Sequence, residues 1–272
     1  MAEDTAAGRA GNPARNVGRP LLGRTVVVTG GSSGIGLGVA RGVAKAGADV
    51  AIWARSAGRN DDAVDELRSL GGRVIAVSCD VASEQDVRGA VARTLREFTH
   101  IDGVFANAGR GSGRTDMFAT DLEEWRAIQA TNVEGAFLTF RECARTMIES
   151  GRPGALVGVS SLSAAFGAPG WLAYSVSKAG LLALVRGLAV ELAPNRIRCN
   201  AIVPGWIHTP MHESHRNAPE WERLERSTVR RTPAGRWGIP DDFESVAVFL
   251  ADPDLTFSTG MELVIDGGYS IC

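Results

Sequence analysis

The stretch from Thr25 to Val43 restricts what this chain can fold into more than any other. Thr25-Val26-Val27-Val28-Thr29 is a short β-branched run, and it passes straight into Gly30-Gly31-Ser32-Ser33-Gly34-Ile35-Gly36. Behind the glycines, Ile35, Val39 and Val43 recur every four residues, the stripe of a helix packed on a sheet. Strand, glycine loop and helix in that order open a βαβ unit. Glycines at the turn permit close approach of a pyrophosphate, whose charge is met by the free N–H groups of the helix start. Gly30, Ser32, Ser33, Gly34, Ile35 and Gly36 are therefore candidate cofactor-binding residues. Their spacing is Gly-x-x-x-Gly-x-Gly rather than the dinucleotide fingerprint Gly-x-Gly-x-x-Gly.

Further strands and helices alternate along the chain. A second strand, Asp49 to Ala54, is followed by Arg55. An acidic residue at that strand end would bind an adenosine ribose 2′-hydroxyl; Ala54 followed by Arg55 leaves room and positive charge for a 2′-phosphate, which favours NADP over NAD. The next helix is read from Asp61 to Leu70 and a third strand from Arg73 to Ser78. It ends at Cys79-Asp80-Val81, where Asp80 is placed either to bond an adenine amine or to cap the following helix. Ser83 and Asp86 resemble a capping box ahead of Val87, Val91 and Leu95.

Ile101 to Ala106 reads as a fourth strand, leaving Asn107-Ala108-Gly109 at the crevice edge, with the Asn107 amide placed to hold strand end and cofactor together. Asp121 to Ser150 is long and helical, yet carries Asn132 and Gly135 inside it, and both disfavour helix. A local irregularity or a polar contact is expected there, with a surface or packing role for Asn132 as the plainer account. A fifth strand, Ala155 to Val159, leads to Ser160-Ser161.

Tyr174-Ser175-Val176-Ser177-Lys178 carries the chemistry. Residues four apart share a helix face, so the Lys178 ammonium can lie beneath the Tyr174 phenol. A free phenol titrates near about pH 10, and a neighbouring cation is expected to lower that value toward the range where it exchanges protons with an alcohol or ketone. Ser161 ends a strand and Tyr174 opens a helix, so both hydroxyls can converge on one carbonyl oxygen in the crevice. The helix continues through Leu181, Leu182, Leu184, Val185, Leu188, Val190 and Leu192, apolar on nearly every side, which points to a subunit interface. Arg196 to Val203 is a sixth strand, Pro204-Gly205 turns the chain, and Met261 to Ile265 closes the sheet. Between them, His208 to Gly238 fits no strand and reads as an irregular substrate lid within 206–238. Its His208, His212 and His215 have spacings that imitate a metal site, but only Glu213 is near enough to help, and no metal is expected.

At 272 residues and 44% hydrophobic, the chain has enough apolar material for one substantial α/β core, spanning 21–272 behind a polar, disordered leader at 1–20. A formal charge of -2 supplies no basic field for nucleic acid. Cys79, Cys143, Cys199 and Cys272 lack C-x-x-C spacing and suit free thiols in the cytoplasm. No run approaches the roughly 20 apolar residues of a membrane span, so no membrane partner is expected.

Thr29-Gly30-x-x-x-Gly34-x-Gly36, Asn107-Ala108-Gly109, Asn132, Ser161, Tyr174-x-x-x-Lys178, Pro204-Gly205 and Asp266-Gly267-Gly268 occur in that order. Together they resemble the short-chain dehydrogenase/reductase family from about Leu22 onward. The resemblance implies a doubly wound, Rossmann-like sheet of seven parallel strands, a nicotinamide cofactor and a homotetramer built on the helices at Asp121 to Ser150 and Trp171 to Ala193. It implies catalytic roles for Asn132, Ser161, Tyr174 and Lys178, with Asn132 carrying a water in a proton relay to Lys178. It also places Ile207 and Thr209 at the nicotinamide. Two departures stand out: Ala106 replaces an Asn of many members, and Ala54 replaces the acidic residue of NAD-preferring ones. The expected activity is hydride transfer between NADP(H) and a small-molecule secondary alcohol or ketone. A 3-oxoacyl-thioester reductase and a non-catalytic NADP(H)-binding redox sensor are the alternatives.

Overall fold

The protein is described from a computed structural model covering residues 18–111, 116–167, 169–211 and 219–272, without the side chains of 219 and 220. Most of the expected leader, together with His212, Glu213 and His215, lies outside these residues.

Seven parallel strands form one sheet in the order β3-β2-β1-β4-β5-β6-β7. They are β1 (Thr25–Thr29), β2 (Asp49–Trp53), β3 (Val74–Val77), β4 (Gly103–Ala106), β5 (Gly154–Val159), β6 (Ile197–Pro204) and β7 (Glu262–Ile265). The order reverses between β1 and β4, which opens the crevice at the carboxyl ends of the strands where ligands of such sheets bind. Register is set by alternation. Val26 and Val28 enter one core while Val27 enters the other, and Phe105 and Val104 divide in the same way.

Helices cover both faces. On one face Val39 and Val43 of α1 (Gly34–Lys45), Leu67 of α2 (Ala57–Arg68) and Leu250 of α8 (Glu244–Ala251) pack together. On the other lie Val87 of α3 (Glu84–Phe98), Phe140 of α5 (Gly135–Glu149) and Val185 of α6 (Leu172–Glu191). The remaining helices are α4 (Leu122–Gln129) and α7 (Pro219–Arg231). At the sheet end opposite the crevice, buried Asp102 accepts from the Thr25 N–H at 2.8 Å and pairs with Arg152 at 2.7 Å, fixing β4 against β1 and β5.

The structure departs from the sequence reading in four places. Helix α2 starts at Ala57 rather than Asp61, because Asn60 is buried and its Nδ2 donates to the Ala54 carbonyl at 3.0 Å, drawing the helix back onto the end of β2. The single helix expected over Asp121 to Ser150 is α4 and α5 joined by a π-helical turn, Ala130–Glu134, at the irregularity anticipated around Asn132 and Gly135. The segment read as irregular contains α7, held by Trp237, which stacks on Trp206 at 5.2 Å and meets Trp221 edge-on at 5.4 Å. Finally, α6 is long and apolar enough, by length and composition alone, to cross a membrane. Its inward residues are instead buried on the sheet, and it carries two of the ionisable groups of the crevice.

Candidate active site

One cavity of about 830 Å³ runs along the crevice. Its floor at one end is the glycine loop. Gly30 takes φ +64° and Gly34 φ +53°, left-handed values that glycine adopts without strain. The loop lies tight on its neighbours: a Cβ on Gly31 would come within 2.7 Å of Ile52, and one on Gly36 would strike the Asn107 amide and the Gly30 carbonyl. Gly36 thus stands behind the wall, supporting it, whereas Gly30, Ser32, Ser33, Gly34 and Ile35 line the cavity itself.

Asn107 joins strand ends. Its Nδ2 donates to the carbonyls of Thr29 at 3.0 Å and Gly30 at 3.3 Å, while the Thr29 hydroxyl accepts from the N–H groups of Asn107 and Ala108, each at 3.0 Å. Thr29 is thereby a supporting residue that its place in a β-branched run did not single out. Ala54, Arg55 and Ser56 line the cavity at the end of β2, and Asp80 and Val81 at the end of β3. Capping of α3 falls to Ser83, whose hydroxyl accepts from the Asp86 N–H, and Asp80 stays in the wall with Oδ1 accepting from the Ala82 N–H at 3.0 Å. The early start of α2 adds Arg59, one turn from Arg55 and in the same wall.

Ser161, Tyr174 and Lys178 line the middle of the cavity. Tyr174 and Lys178 share a face of α6 as their spacing predicts, with Nζ 5.5 Å from the phenol ring centroid. The expected acidification of the phenol is absent. Burial pushes the Tyr174 phenol up to about 12 against the pull of its hydrogen bond with Ser161, because a phenolate there would be stripped of water. The same burial lowers Lys178 to about 8, and its Nζ donates to the Val159 carbonyl at 2.8 Å rather than to the phenol.

Asn132 does not line the cavity. It is buried directly behind it, which removes the surface account of this residue. Its Oδ1 accepts from the Arg110 N–H at 2.7 Å, and its Nδ2 donates to the Arg110 carbonyl at 3.0 Å and to Ser177 Oγ at 2.9 Å.

Beyond Tyr174 the wall is built by Pro204, Gly205, Ile207 and Thr209, and by residues that sequence reasoning did not assign: Phe166, Trp206, Arg231 and Tyr269. Trp171, at the head of α6, meets Tyr174 edge-on at 5.8 Å. A Cβ on Gly205 would come within 2.7 Å of Asp266, so the Pro204-Gly205 and Asp266-Gly267-Gly268 turns fit only as a pair. Ile207 bridges to Gly238 as an isolated parallel pair, tying the start of the 206–238 segment to its end. Among the described residues no group of three His, Cys, Asp or Glu side chains is placed to hold a metal ion.

The residues present fit a nicotinamide dinucleotide. A glycine cradle without intruding side chains lies at a helix start, two arginines follow β2, and the volume falls within the range of ligand sites.

A family model described as enoyl-(acyl carrier protein) reductase matches residues 30–270. The chain is 38% identical over 251 residues to an L-rhamnose 1-dehydrogenase (NAD(P)(+)) of Sphingomonas sp. (strain SKA58), covering 91% of this chain and 96% of that one. It is 35% identical over 248 residues to a 3-oxoacyl-[acyl-carrier-protein] reductase of Chlamydia pneumoniae, covering 91% and 97%. The crystal structure of a short-chain type dehydrogenase/reductase from Mycobacterium marinum matches with a TM-score of 0.86 at 35% identity, over 93% of this chain and 97% of that one. Fold, site and relatives together define an NAD(P)-dependent oxidoreductase acting on alcohol and ketone groups. The chain belongs to the short-chain dehydrogenase/reductase family.

Proposed function

We propose that this protein reduces ketones and oxidises secondary alcohols with NADP(H), using Tyr174 as the proton donor and acceptor. The observation that carries this is the alignment of Ser161, Tyr174 and Lys178 along one cavity with the glycine loop and the arginine pair. When bound, the nicotinamide supplies or takes up the hydride. Burial keeps the Tyr174 phenol protonated at neutral pH, so its resting state is that of an acid facing a carbonyl oxygen. Ser161 orients that oxygen by a second hydrogen bond. Lys178, cationic below about pH 8, holds the nicotinamide ribose and returns a proton to the phenol. Gly30, Ser32, Ser33, Gly34 and Ile35 hold the pyrophosphate; Asp80, Val81, Asn107, Ala108 and Gly109 flank the adenosine and ribose, and Pro204, Gly205, Ile207 and Thr209 flank the nicotinamide.

Both Nδ2 hydrogens of Asn132 are committed, so a relay water there is held through Oδ1 or a main-chain carbonyl. Arg55 and Arg59 support NADP over NAD, since among the described residues the stretch that follows β2 in the cavity wall carries these two arginines and no acidic side chain. Residues 206–238 are assigned to substrate selection. Exposed Phe137 and Ile148 on α5 and Val176 and Val190 on α6 support a homotetramer joined through these helices. Unpaired thiols at Cys79, Cys143 and Cys199 support a cytoplasmic location.

A screen of ketones and secondary alcohols with NADPH and NADH tests this. Oxidation of NADPH by at least one carbonyl, faster than of NADH, is the expected result; coenzyme binding with no turnover would make the protein a sensor. A 3-oxoacyl thioester belongs in the screen, because one relative carries that activity in its name.

A further inference from the structure

We propose that Trp171 determines specificity in this site and that the substrate is a ketone or secondary alcohol attached to a compact apolar ring; this names a substrate class for the oxidoreductase reading above and rests on it. Arg55 and Arg59, assigned to the adenosine end, follow β2. The other end of the cavity follows β5, β6 and β7, and there Phe166, Trp171, Trp206, Met211 and Tyr269 line the wall. Large aromatic and thioether side chains from three separate stretches thus gather where the substrate must lie. Trp171 is the one beside the acid, meeting Tyr174 edge-on at 5.8 Å. A Cβ on Gly111 would lie 3.5 Å from Met211 and 4.0 Å from the Trp171 ring, so these two side chains come together over the loop after β4.

The wall is braced from outside. Trp206 stacks on Trp237 at 5.2 Å, and Trp237 Nε1 donates to Thr228 Oγ1 of α7 at 2.8 Å. Arg231 stacks on Tyr269, 4.3 Å from its ring centroid, lies 6.0 Å from that of Phe166, and donates from Nε to Cys272 at 3.1 Å. That charge is therefore already engaged with the chain. Rings held in place before binding favour a rigid apolar ring, because an open chain must give up its own rotors to lie against them. The hydroxyl groups gather at one point instead: Ser161 and Ser163 Oγ are 3.2 Å apart, and Ser161 hydrogen-bonds the Tyr174 phenol. This cluster serves the reacting oxygen. Further oxygens on the substrate would face rings and a thioether among the described residues, and would lose their water without gaining a partner.

The test measures NADPH oxidation by cyclohexyl methyl ketone, by its tetrahydropyran-4-yl analogue, in which an ether oxygen replaces a ring methylene, by 2-octanone and by dihydroxyacetone, in the wild-type protein, Trp171→Phe and Trp171→Ala. Wild type is expected to favour the carbocycle over the ether ring about tenfold in kcat/KM, and over 2-octanone several-fold, with both differences carried in KM. Trp171→Ala should shrink both preferences to about twofold, because water enters the vacated space and the ring loses its wall. Trp171→Phe, which keeps an aromatic face, should retain most of them. Equal use of the ketones by the wild type, or a preference for the ether ring or the open chain, overturns the assignment and leaves the oxidoreductase reading standing. The same follows if Trp171→Ala keeps the preferences, or loses activity equally on every ketone as a mere brace for Tyr174 would. Turnover of dihydroxyacetone alone overturns the apolar class but not the oxidoreductase reading; turnover of none of the four compounds counts against both.

Discussion

Asn132 Nδ2 donates to Ser177 Oγ at 2.9 Å, and Ser177 lies between Tyr174 and Lys178 on α6. Ser177 passes the contact on, its hydroxyl donating to the Tyr174 carbonyl at 2.7 Å. Through Arg110 the same amide holds the loop that follows Asn107-Ala108-Gly109. A widened helical turn therefore locks the segment after β4 to the helix bearing the acid, and it does so from behind the cavity wall. The π-helical geometry has a use here, since it seats a buried amide between two elements that a regular helix would pass by.

Replacing Asn132 by alanine should cost about 3 kcal/mol of stability, because three hydrogen bonds vanish and leave buried partners unsatisfied. The denaturant midpoint should fall with an unchanged slope, and kcat should drop along with it. An unaltered midpoint would show that the amide is not bracing these elements.

Lys178 makes stability depend on pH with a defined sign. Its folded value of about 8 lies below the ordinary 10.5, so the unfolded chain binds the proton more tightly. Burying the ammonium therefore destabilises the fold fully below about pH 8, and this penalty is relieved as pH rises toward 10.5. The recovery is about 3 kcal/mol. Measured against Lys178→Met, which lacks the titration, wild-type stability should gain across that window. A difference between the two proteins that stays flat from pH 8 to 10.5 would contradict the burial of a titrating amine.

Arg55 and Arg59 project from the same short stretch at the end of β2. Arg55→Ala should raise KM for NADPH several-fold, and the double replacement should multiply that effect to about thirtyfold, with KM for NADH hardly changed. Equal weakening of both coenzymes would remove the 2′-phosphate from the account.

What could be read from the sequence divides along a physical line. Strand ends and the turns after them are local. Gly30, Gly34, Asn107, Ser161 and Pro204 announce themselves because each turn needs a particular residue type, and a parallel sheet brings all such turns to one edge. The Tyr174 to Lys178 spacing is equally local, and the lysine sits where helical geometry puts it. The sign of the Tyr174 shift is a different kind of quantity. Desolvation depends on everything packed around the ring, and here it outweighs the opposing hydrogen bond with Ser161. Arg59 was missed because a single side-chain bond from Asn60 moves a helix start by a turn. Arg231 and Tyr269, 38 residues apart, meet only once α7 and the segment after β7 are folded over the crevice.

The most direct measurement is NADPH oxidation by a responsive ketone in Tyr174→Phe, with coenzyme binding followed in parallel by fluorescence. Loss of the proton donor should cut kcat by about 10² to 10⁴ while NADPH still binds. Full turnover with the phenylalanine in place would show that the Tyr174 hydroxyl is not the group that moves the proton.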